Sequence, residues 1–502
     1  MLLHRDVCYR ALRTRDARFD GRIFVAVRTT GIYCRPICPA RTPKLENVEF
    51  HPSAAAAQSA GFRPCLRCRP ECSPDLAAWH GTSSTVARAL GLIAEGALDG
   101  DDADVGTLAG RLGIGERQLR RLFTRHLGAS PIAVAQTRRI LFAKQLVHET
   151  RMSMTAIAEA AGFGSLRRFN ATFRDLYGTA PSALRRLARG SAADREPIAR
   201  ITLKLGYAGP YDWEAMIGFF AARAIAGVEV AEPRRYRRTI ALEGACGTVE
   251  VEPISGRDAL AVTVRFPSVR ALPTIIARVR RMFDLGADVA AINAELVRDP
   301  RLAALVRARP GLRVPGAWDG FELAVRAMLG QQITVSGARR LAGKVVAAYG
   351  TRLPDEVGES AGGLTSVFPS AERLARADLA ALGMPRARAA ALGMLASAAA
   401  ANPRIFERAP RLEEAIARLR ALPGVGDWTA QYVAMRAMRE PDAFPASDLG
   451  LLRAMETAGR RPTARTLGER AEAWRPWRAY AAQHLWASAA ALKPASTEEA
   501  VA

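Results

Sequence analysis

The distribution of cysteine is the feature that most constrains this chain. Six of its seven cysteines precede residue 73 in a sequence of 502 residues. Four of them form two close pairs, Cys34 with Cys38 and Cys65 with Cys68. Two short spacings joined by a longer one are typical of a tetrahedral zinc site with four thiolate ligands. The pattern therefore predicts a small N-terminal domain organised by one Zn²⁺, with Cys72 as a rival ligand because it lies close to Cys68 in sequence.

The composition indicates a large basic protein. The chain carries 72 Lys and Arg against 49 Asp and Glu, a formal net charge of +23, which favours a polyanionic partner. At about 100–200 residues per domain, the length predicts several domains. A hydrophobic content of 49% excludes a disordered chain. The sequence lacks both a long apolar run and the apolar core of a signal peptide, so we expect no membrane partner and a cytoplasmic location.

The text around the cysteine pairs is more specific than their spacing. Residues 21–36 run into the first pair and residues 61–68 contain the second. Both segments closely resemble the N-terminal domain of the Ada alkylation-response proteins. The resemblance implies that Cys34 irreversibly accepts a methyl group from a methylated DNA phosphate. Loss of one negative charge on methylation would raise affinity for DNA, and Arg35 and Arg67 are predicted phosphate contacts.

Two helix-turn-helix patterns follow. In residues 105–123 Gly113 marks the turn, and in residues 154–169 Gly162 marks the turn and Ser165 is a natural N-cap. The second helix of each pair is predicted to enter a major groove. The predicted contacts to DNA are Arg117, Gln118, Arg121, Arg167 and Arg168. The two patterns together resemble the AraC-type transcription-factor domain, which Ada proteins carry in this order.

The chain then departs from the Ada pattern. Ada proteins commonly end in a methylguanine transferase with a Pro-Cys-His-Arg-like motif, whereas only Cys246 follows residue 72 here, in a different context. Transfer from O6-methylguanine is therefore not expected. The sequence predicts instead a small mixed α/β subdomain followed by helices. Its predicted strands are residues 201–207, 237–253 and 258–266, and its predicted helices are residues 211–228 and 268–285.

Residues 422–432 carry a helix–hairpin–helix signature. Gly424 and Gly426 permit a tight turn, and the helix that follows directs backbone N–H groups at a DNA phosphate. Downstream, Asp448 follows a Pro turn at the predicted start of a helix. A hairpin followed by such a carboxylate fits a helix–hairpin–helix DNA glycosylase.

Four further segments make the resemblance more specific. Residues 210–213, 219–224, 327–332 and 475–480 are similar to the AlkA-type 3-methyladenine DNA glycosylase II, and the resemblance covers nearly all of residues 200–490. It implies that Asp448 is the catalytic carboxylate that stabilises an oxocarbenium-like sugar. It also implies that the target base is flipped from the stack, that aromatic rings hold it, and that Gln332 fills the gap. The implied pocket rings are Trp428, Tyr432 and Trp486.

Two absences narrow the expected chemistry. Glycosylases with lyase activity carry a Lys in the hairpin, at about the position of Trp428, so we expect a monofunctional enzyme. No cysteine follows Cys246, so we expect no iron–sulfur cluster.

The sequence thus predicts a mainly α, multi-domain fold. The predicted parts are an Ada-like small α/β four-cysteine zinc domain at 1–78, an AraC-type double helix-turn-helix domain at 82–188, a linker at 189–199, an AlkA-like mixed α/β subdomain at 200–310 and an all-α helix–hairpin–helix glycosylase domain at 311–492. The predicted function is repair of alkylation damage by excision of N3- or N7-alkylated purines, fused to a methyl-accepting transcription regulator. We expect a monomer associated with the nucleoid, with alkylated, methylphosphotriester-bearing and promoter DNA as partners.

Two alternatives stay open at this stage. In the first alternative, the chain is a methylation-activated regulator whose glycosylase part only binds DNA. In the second, it is a pure repair enzyme whose N-terminal modules direct it to DNA. Intact Asp448, Trp428 and hairpin residues argue against the first alternative. A rise in affinity for one specific sequence on methylation of Cys34 would exclude the second.

Overall fold

The computed structural model describes most of the chain, in two compact units. The described residues are 4–74, 84–99, 104–189, 200–354, 362–457 and 459–491. The first unit comprises 1–208, 241–280 and 285–287, and the second comprises 209–240, 281–284 and 288–502. The predicted linker at 189–199 lies, beyond its first residue, outside the described residues, and so does the predicted boundary between residues 78 and 82.

The first unit begins with a small sheet between two helices. Its helices are α1 (Arg5–Thr14) and α2 (Ala54–Ser59), and its strands are β1 (Phe24–Val27), β2 (Ile32–Cys34), β3 (Val48–His51) and β4 (Arg63–Pro64). The strand order is β3-β1-β2-β4, in which β2 and β4 run parallel and the other pairs run antiparallel. Phe24, Ala26 and Tyr33 bury one face against α2, because alternate residues of a strand share a face.

Helices make up the next part of this unit. They are α3 (Ser84–Ala94), α4 (Val105–Leu112), α5 (Glu116–Leu127), α6 (Pro131–Glu149), α7 (Met154–Ala160), α8 (Leu166–Tyr177) and α9 (Pro181–Arg189). Gly113 and Gly162 lie in the two turns with φ of +73° and +76°, conformations that glycine adopts without strain. The Ser165 hydroxyl accepts a hydrogen bond from the Arg168 amide at 3.2 Å. Both helix-turn-helix predictions, including this N-cap, are confirmed.

A five-stranded antiparallel sheet follows along the chain. Its strands are β5 (Ile201–Gly206), β6 (Glu229–Glu232), β7 (Arg235–Leu242), β8 (Ala245–Pro253) and β9 (Ala259–Arg265), in the order β5-β9-β8-β7-β6. A turn at Gly244, with φ of +80°, divides the predicted strand 237–253 into β7 and β8, and a turn at Gly256, with φ of +69°, joins β8 to β9. The predicted helix at 211–228 was too long: α10 (Trp213–Arg223) ends early because the Gly227 carbonyl accepts hydrogen bonds from the Thr365 and Ser366 amides. The helix predicted at 268–285 is α11 (Leu272–Met282).

The rest of the second unit is almost entirely helical, as predicted. Its helices are α12 (Val289–Leu296), α13 (Pro300–Ala308), α14 (Gly320–Leu329), α15 (Val335–Tyr349), α16 (Ala371–Ala375), α17 (Arg386–Ala401), α18 (Leu412–Arg420), α19 (Asp427–Arg436), α20 (Leu449–Ala454), α21 (Ala464–Ala471) and α22 (Arg478–Ala491). A short antiparallel pair, β10 (Thr351–Arg352) with β11 (Ser366–Val367), interrupts them. No helix in the described ranges has the length and apolar character that crossing a bilayer requires.

Candidate zinc centre and base-binding pocket

The parallel pairing of β2 with β4 brings the two cysteine pairs together. Tyr33 is in register with Pro64, so Cys34 and Cys65 lie at the same end of two neighbouring parallel strands. The turns that follow carry Cys38 and Cys68 back to the same point. The four Sγ atoms all lie within 4.8 Å of one another.

This cluster fits a zinc ion. Tetrahedral coordination with Zn–S bonds of about 2.3 Å requires sulfur atoms about 3.8 Å apart, which the observed spacing accommodates. The Arg35 amide donates to Cys68 Sγ at 3.3 Å, the kind of contact that stabilises a metal-bound thiolate. Cys72 lies outside the group, and burial raises the pKa of its thiol to about 11. The geometry therefore favours the four predicted ligands over Cys72.

The ligands differ in their accessibility. Cys38, Cys65 and Cys68 are buried, whereas Cys34 is partly exposed. Of the two predicted phosphate contacts nearby, Arg67 is exposed. Arg35 is instead largely buried: its guanidinium forms a bidentate ion pair with Asp20, and its side chain is only 14% exposed.

The predicted contacts of the helix-turn-helix motifs lie on two exposed helix faces. Arg117, Gln118 and Arg121 are exposed on α5, whose opposite face buries Leu119 and Phe123. On α8 the exposed residues Arg167 and Arg168 occupy the first turn. Each set is thus available to a groove of DNA.

In the second unit, the structure requires glycine at only one of the two predicted hairpin positions, since Gly426 has an ordinary extended φ of −79°. Gly424 has φ of +77°, and a Cβ there would lie 2.8 Å from that of Ala391, so only glycine fits. Gly426 is the N-cap of α19 and faces open space. The Gln331 side chain donates at 2.9 Å to the Gly424 carbonyl and ties the neighbouring Gln332 loop to the hairpin. Gln332 itself is exposed with φ of +61°.

Asp448 is held by donors from three directions. Its Oδ2 accepts a hydrogen bond from Trp428 Nε1 at 2.8 Å. Its Oδ1 accepts from Trp486 Nε1 at 2.8 Å and from the Leu451 amide at 3.0 Å, which makes it the N-cap of α20. Two indoles and a helix N-terminus therefore fix the orientation of this carboxylate.

Aromatic rings surround the carboxylate. Trp428 and Tyr432 are stacked, with ring centroids 5.1 Å apart and planes within 12°. Trp428, Tyr432 and Trp486 are all partly exposed, so their faces are available to a planar ligand. The structure brings these three rings together with Asp448.

Sequence reasoning missed three residues of this site. The Arg436 guanidinium lies 3.9 Å from the Phe219 ring and 4.8 Å from the Tyr432 ring. A Cβ on Gly450 would lie 2.9 Å from Asp448 Oδ1 and 3.1 Å from Trp486, so this glycine lets the indole reach the carboxylate. Gly450 stands two residues after Asp448, so the sequence already indicated a position beside the carboxylate where a small residue is needed. Phe219 begins the segment 219–224 that carries the glycosylase resemblance, although nothing there assigned it to the pocket. Arg436 gave no such signal.

Together the fold and the two sites define a class of multi-domain proteins that bind a metal ion and DNA. A four-thiolate zinc centre and a double helix-turn-helix precede a helix–hairpin–helix unit with a carboxylate in an aromatic pocket. Three family models match the chain: the metal binding domain of Ada at residues 7–71, a helix-turn-helix domain at 108–187 and the AlkA N-terminal domain at 202–319.

Known proteins extend the similarity over nearly the whole chain. The chain is 43% identical over 482 residues to the "probable bifunctional transcriptional activator/DNA repair enzyme AlkA" of Mycobacterium tuberculosis, covering 95% of both sequences. It is 38% identical to DNA-3-methyladenine glycosylase 2 of Escherichia coli, over 56% of this chain and 95% of that one. The chain therefore belongs to the family of bifunctional transcriptional activators and DNA repair enzymes of the AlkA type.

A solved structure supports the fold of the C-terminal part. The 3-methyladenine DNA glycosylase of Archaeoglobus fulgidus aligns with a TM-score of 0.51 and 24% identity, over 57% of this chain and 98% of that one.

Proposed function

We propose that the chain excises N3- and N7-alkylated purines from double-stranded DNA as a monofunctional glycosylase that uses Asp448. The observation that carries this proposal is the Asp448 carboxylate, fixed by two indole N–H donors beside open aromatic faces. A carboxylate so held presents its charge in a constant direction. Such a charge stabilises the cationic sugar that forms as the base departs.

The surroundings of Asp448 support the steps before bond cleavage. The hairpin around Gly424 and Gly426 offers backbone N–H groups to a phosphate, and Gln332 is exposed on a loop bonded to that hairpin. In this proposal the exposed Gln332 side chain fills the gap that a flipped base leaves. The rings of Trp428, Tyr432 and Trp486 can then hold a cationic base by stacking.

The test is release of methylated bases from alkylated duplex DNA. The wild-type chain is expected to release them, and Asp448→Asn is expected to lose release by about a thousandfold, because a neutral amide keeps the N-cap but not the charge. Asp319→Asn is the matched control, since Asp319 caps α14 in the same way. Release by neither the wild type nor Asp448→Asn would favour the alternative, a regulator whose C-terminal unit only binds DNA.

We also propose that Cys34 accepts a methyl group from a DNA methylphosphotriester, in a site with one Zn²⁺. Cys34, Cys38, Cys65 and Cys68 would hold the ion, and a bound ion would keep these thiols deprotonated and so nucleophilic. The Cys34 sulfur bonds to the methyl carbon, and the electron pair of the C–O bond stays on the phosphate oxygen. Cys34 is the proposed acceptor because it is the partly exposed ligand among four.

The acceptor is identified by mass. After incubation with DNA that carries methylphosphotriesters, the peptide with Cys34 is expected to gain one methyl group, and the peptide with Cys65 and Cys68 is not. A methyl group on any other ligand would contradict the proposal. A zinc determination that gives a ratio other than one per chain would contradict the stoichiometry.

The exposed helix faces support a regulatory role for the first unit. We propose that residues 1–78 sense the phosphotriester, that residues 82–188 bind promoter DNA, and that residues 200–492 excise bases. Arg117, Gln118, Arg121, Arg167 and Arg168 would contact the promoter. Methylated and unmethylated protein are compared on random and selected duplexes. An equal gain in affinity on all of them would favour a pure repair enzyme.

A further inference from the structure

Arg436 is a buried cation at one end of the aromatic pocket. It is 2% exposed, and its Nη1 donates to the Pro315 carbonyl at 3.0 Å. Among the described residues, no carboxylate forms an ion pair with it, and its Nε has no hydrogen-bond partner. The buried cations Arg238 and Arg326 differ, since both pair with Glu322. Removing Arg436 from water is therefore not offset by a neighbouring anion.

Aromatic rings take the place of that anion. The guanidinium carbon lies 3.9 Å from the centroid of Phe219, 4.8 Å from that of Tyr432 and 5.7 Å from that of Trp486. Ring faces attract cations. Burial lowers the pKa of Arg436 to about 10, which leaves the group charged at neutral pH. The pocket therefore contains a permanent positive charge.

Asp448 provides the opposite charge at the other end of the rings. Trp428, Tyr432 and Arg436 are spaced by four residues and share one face of α19, and the eight residues from the first to the last rise about 12 Å along the helix. Trp428 donates to Asp448 at the start of this row, and Arg436 ends it. Trp486 also connects the two charges, since its Nε1 donates to Asp448 and its ring faces the guanidinium.

We propose that Arg436 is an electrostatic positioning residue for base release. Its charge opposes the positive charge of a bound alkylated base and favours the transfer of that charge to the sugar, beside Asp448. In the reaction the C1′–N bond breaks and its electron pair stays on the base, which leaves neutral. Water supplies the oxygen that bonds to C1′ and gives its proton to solvent. The inference rests on the proposed glycosylase function.

The proposal separates binding from chemistry. With a cationic base, Arg436 destabilises the ground state more than the transition state, so its removal is expected to tighten binding and slow cleavage. With a neutral base, the departing ring gains negative charge, which Arg436 stabilises, so its removal is expected to slow cleavage without tightening binding. Moving one charge by a few ångströms at an effective dielectric constant of about 20 predicts about a five- to tenfold effect on cleavage.

The experiment is single-turnover cleavage of duplexes that carry one 7-methylguanine, a cationic lesion, or one hypoxanthine, a neutral lesion. The maximal rate and the half-saturating protein concentration are measured for the wild type, Arg436→Met and Arg436→Lys. Arg313→Met is the matched control, because Arg313 is a buried cation that lies 4.8 Å from the Tyr211 ring and donates to the Asp284 carbonyl. Thermal unfolding of every variant reports its stability.

The expected result is a maximal rate lowered about five- to tenfold by Arg436→Met on 7-methylguanine, with a lower half-saturating concentration. Arg436→Lys, which keeps the charge, is expected to restore most of the rate, and Arg313→Met to leave both constants unchanged. Unchanged constants in Arg436→Met, or a slower rate with weaker binding that Lys does not restore, would overturn the inference alone. A wild-type chain that releases neither base would overturn the proposed glycosylase function and the inference with it.

Discussion

The zinc centre and the Asp448 pocket both hold negative charge in a partly buried site, but they stabilise it by different means. At the cysteine cluster four sulfur atoms converge within 4.8 Å, a density of charge that a metal ion must offset. At Asp448 two indole N–H groups and a backbone amide provide the stabilisation. One site depends on a bound ion, and the other depends on the packing of three separate helices, α19, α20 and α22.

The largest expected effect comes from removing the metal. A strong chelator is expected to unfold the segment around residues 7–71, because structural zinc contributes about 10–16 kcal/mol of apparent folding free energy. Release of alkylated bases is expected to continue, since donors of the protein itself hold Asp448. Protection of backbone amides from hydrogen exchange and release of alkylated bases are measured on one sample. Added zinc is expected to restore the protection. An equal loss of exchange protection and of base release would show that the two sites do not differ in their dependence on the metal.

A second test concerns the buried support of the zinc centre. Lys144 is fully buried, and its Nζ donates to Glu71 at 2.8 Å and to the Cys65 carbonyl at 3.2 Å. Lys144→Met removes one of two cations that pair with Glu71 and leaves the ion pair with Arg69 at 3.0 Å. The unfolding free energy of the zinc-loaded protein is therefore expected to fall by about 3 kcal/mol, the lower end of the cost of breaking a buried pair, in urea titrations. The exposed Lys44→Met is the control.

Adding Glu71→Gln to Lys144→Met sharpens that test. The double variant is expected to recover part of the loss, because it no longer buries a carboxylate that has lost one of its two cations. A double variant that is less stable than the single one would show that the loss comes from packing.

A third test removes the indole donors at Asp448 and keeps an aromatic ring. Trp428→Phe and Trp486→Phe are each expected to slow base release by about ten- to a hundredfold, because a hydrogen bond to a charged group contributes about 1.5–3 kcal/mol. Trp474→Phe is the control, since Trp474 donates at 2.9 Å to Asp299. A similar loss in all three variants would indicate a general effect of losing an indole.

The smallest expected effect is the pH dependence of stability through His484. Burial and, to a lesser degree, the Arg309 cation lower the pKa of His484 to about 4. The unfolded chain therefore binds this proton more tightly, and stability is complete above about pH 6.5 and is lost as the pH falls toward 4. Between pH 7 and pH 5 the loss is about 2 kcal/mol. His484→Gln is expected to flatten this part of the curve in urea titrations, and an unchanged slope would contradict the assignment.

The sequence predicted most of the fold because the decisive signals are local. Gly113, Gly162 and Ser165 define the helix-turn-helix turns by their own backbone preferences and hydrogen bonds. Where the prediction failed, the cause was not local. The helix predicted at 211–228 ends at Arg223 because Gly227 bonds to residues 365 and 366 and Val228 bonds to Thr239, and these distant pairings outweigh helical periodicity.

The site was predictable in part for the same reason. The cysteine spacing alone predicted which four sulfur atoms converge, because the two cysteines of each pair lie within a single turn of the chain. Motif resemblance named Asp448 and three rings that the structure brings together. It did not predict that Arg35 pairs with Asp20, since that contact joins residues 15 positions apart.

The sequence by itself determined that four cysteines converge, the order of the modules, the turn at Gly424 and the position of Asp448 at a helix start, because short spacings and backbone preferences act within a few residues. The tertiary structure alone decided that Cys34 is the accessible ligand, and that Phe219 and Arg436 join the pocket. It also decided that two indoles hold Asp448. Burial and electrostatic environment depend on residues that are far apart in sequence, so they exist only once the helices have packed.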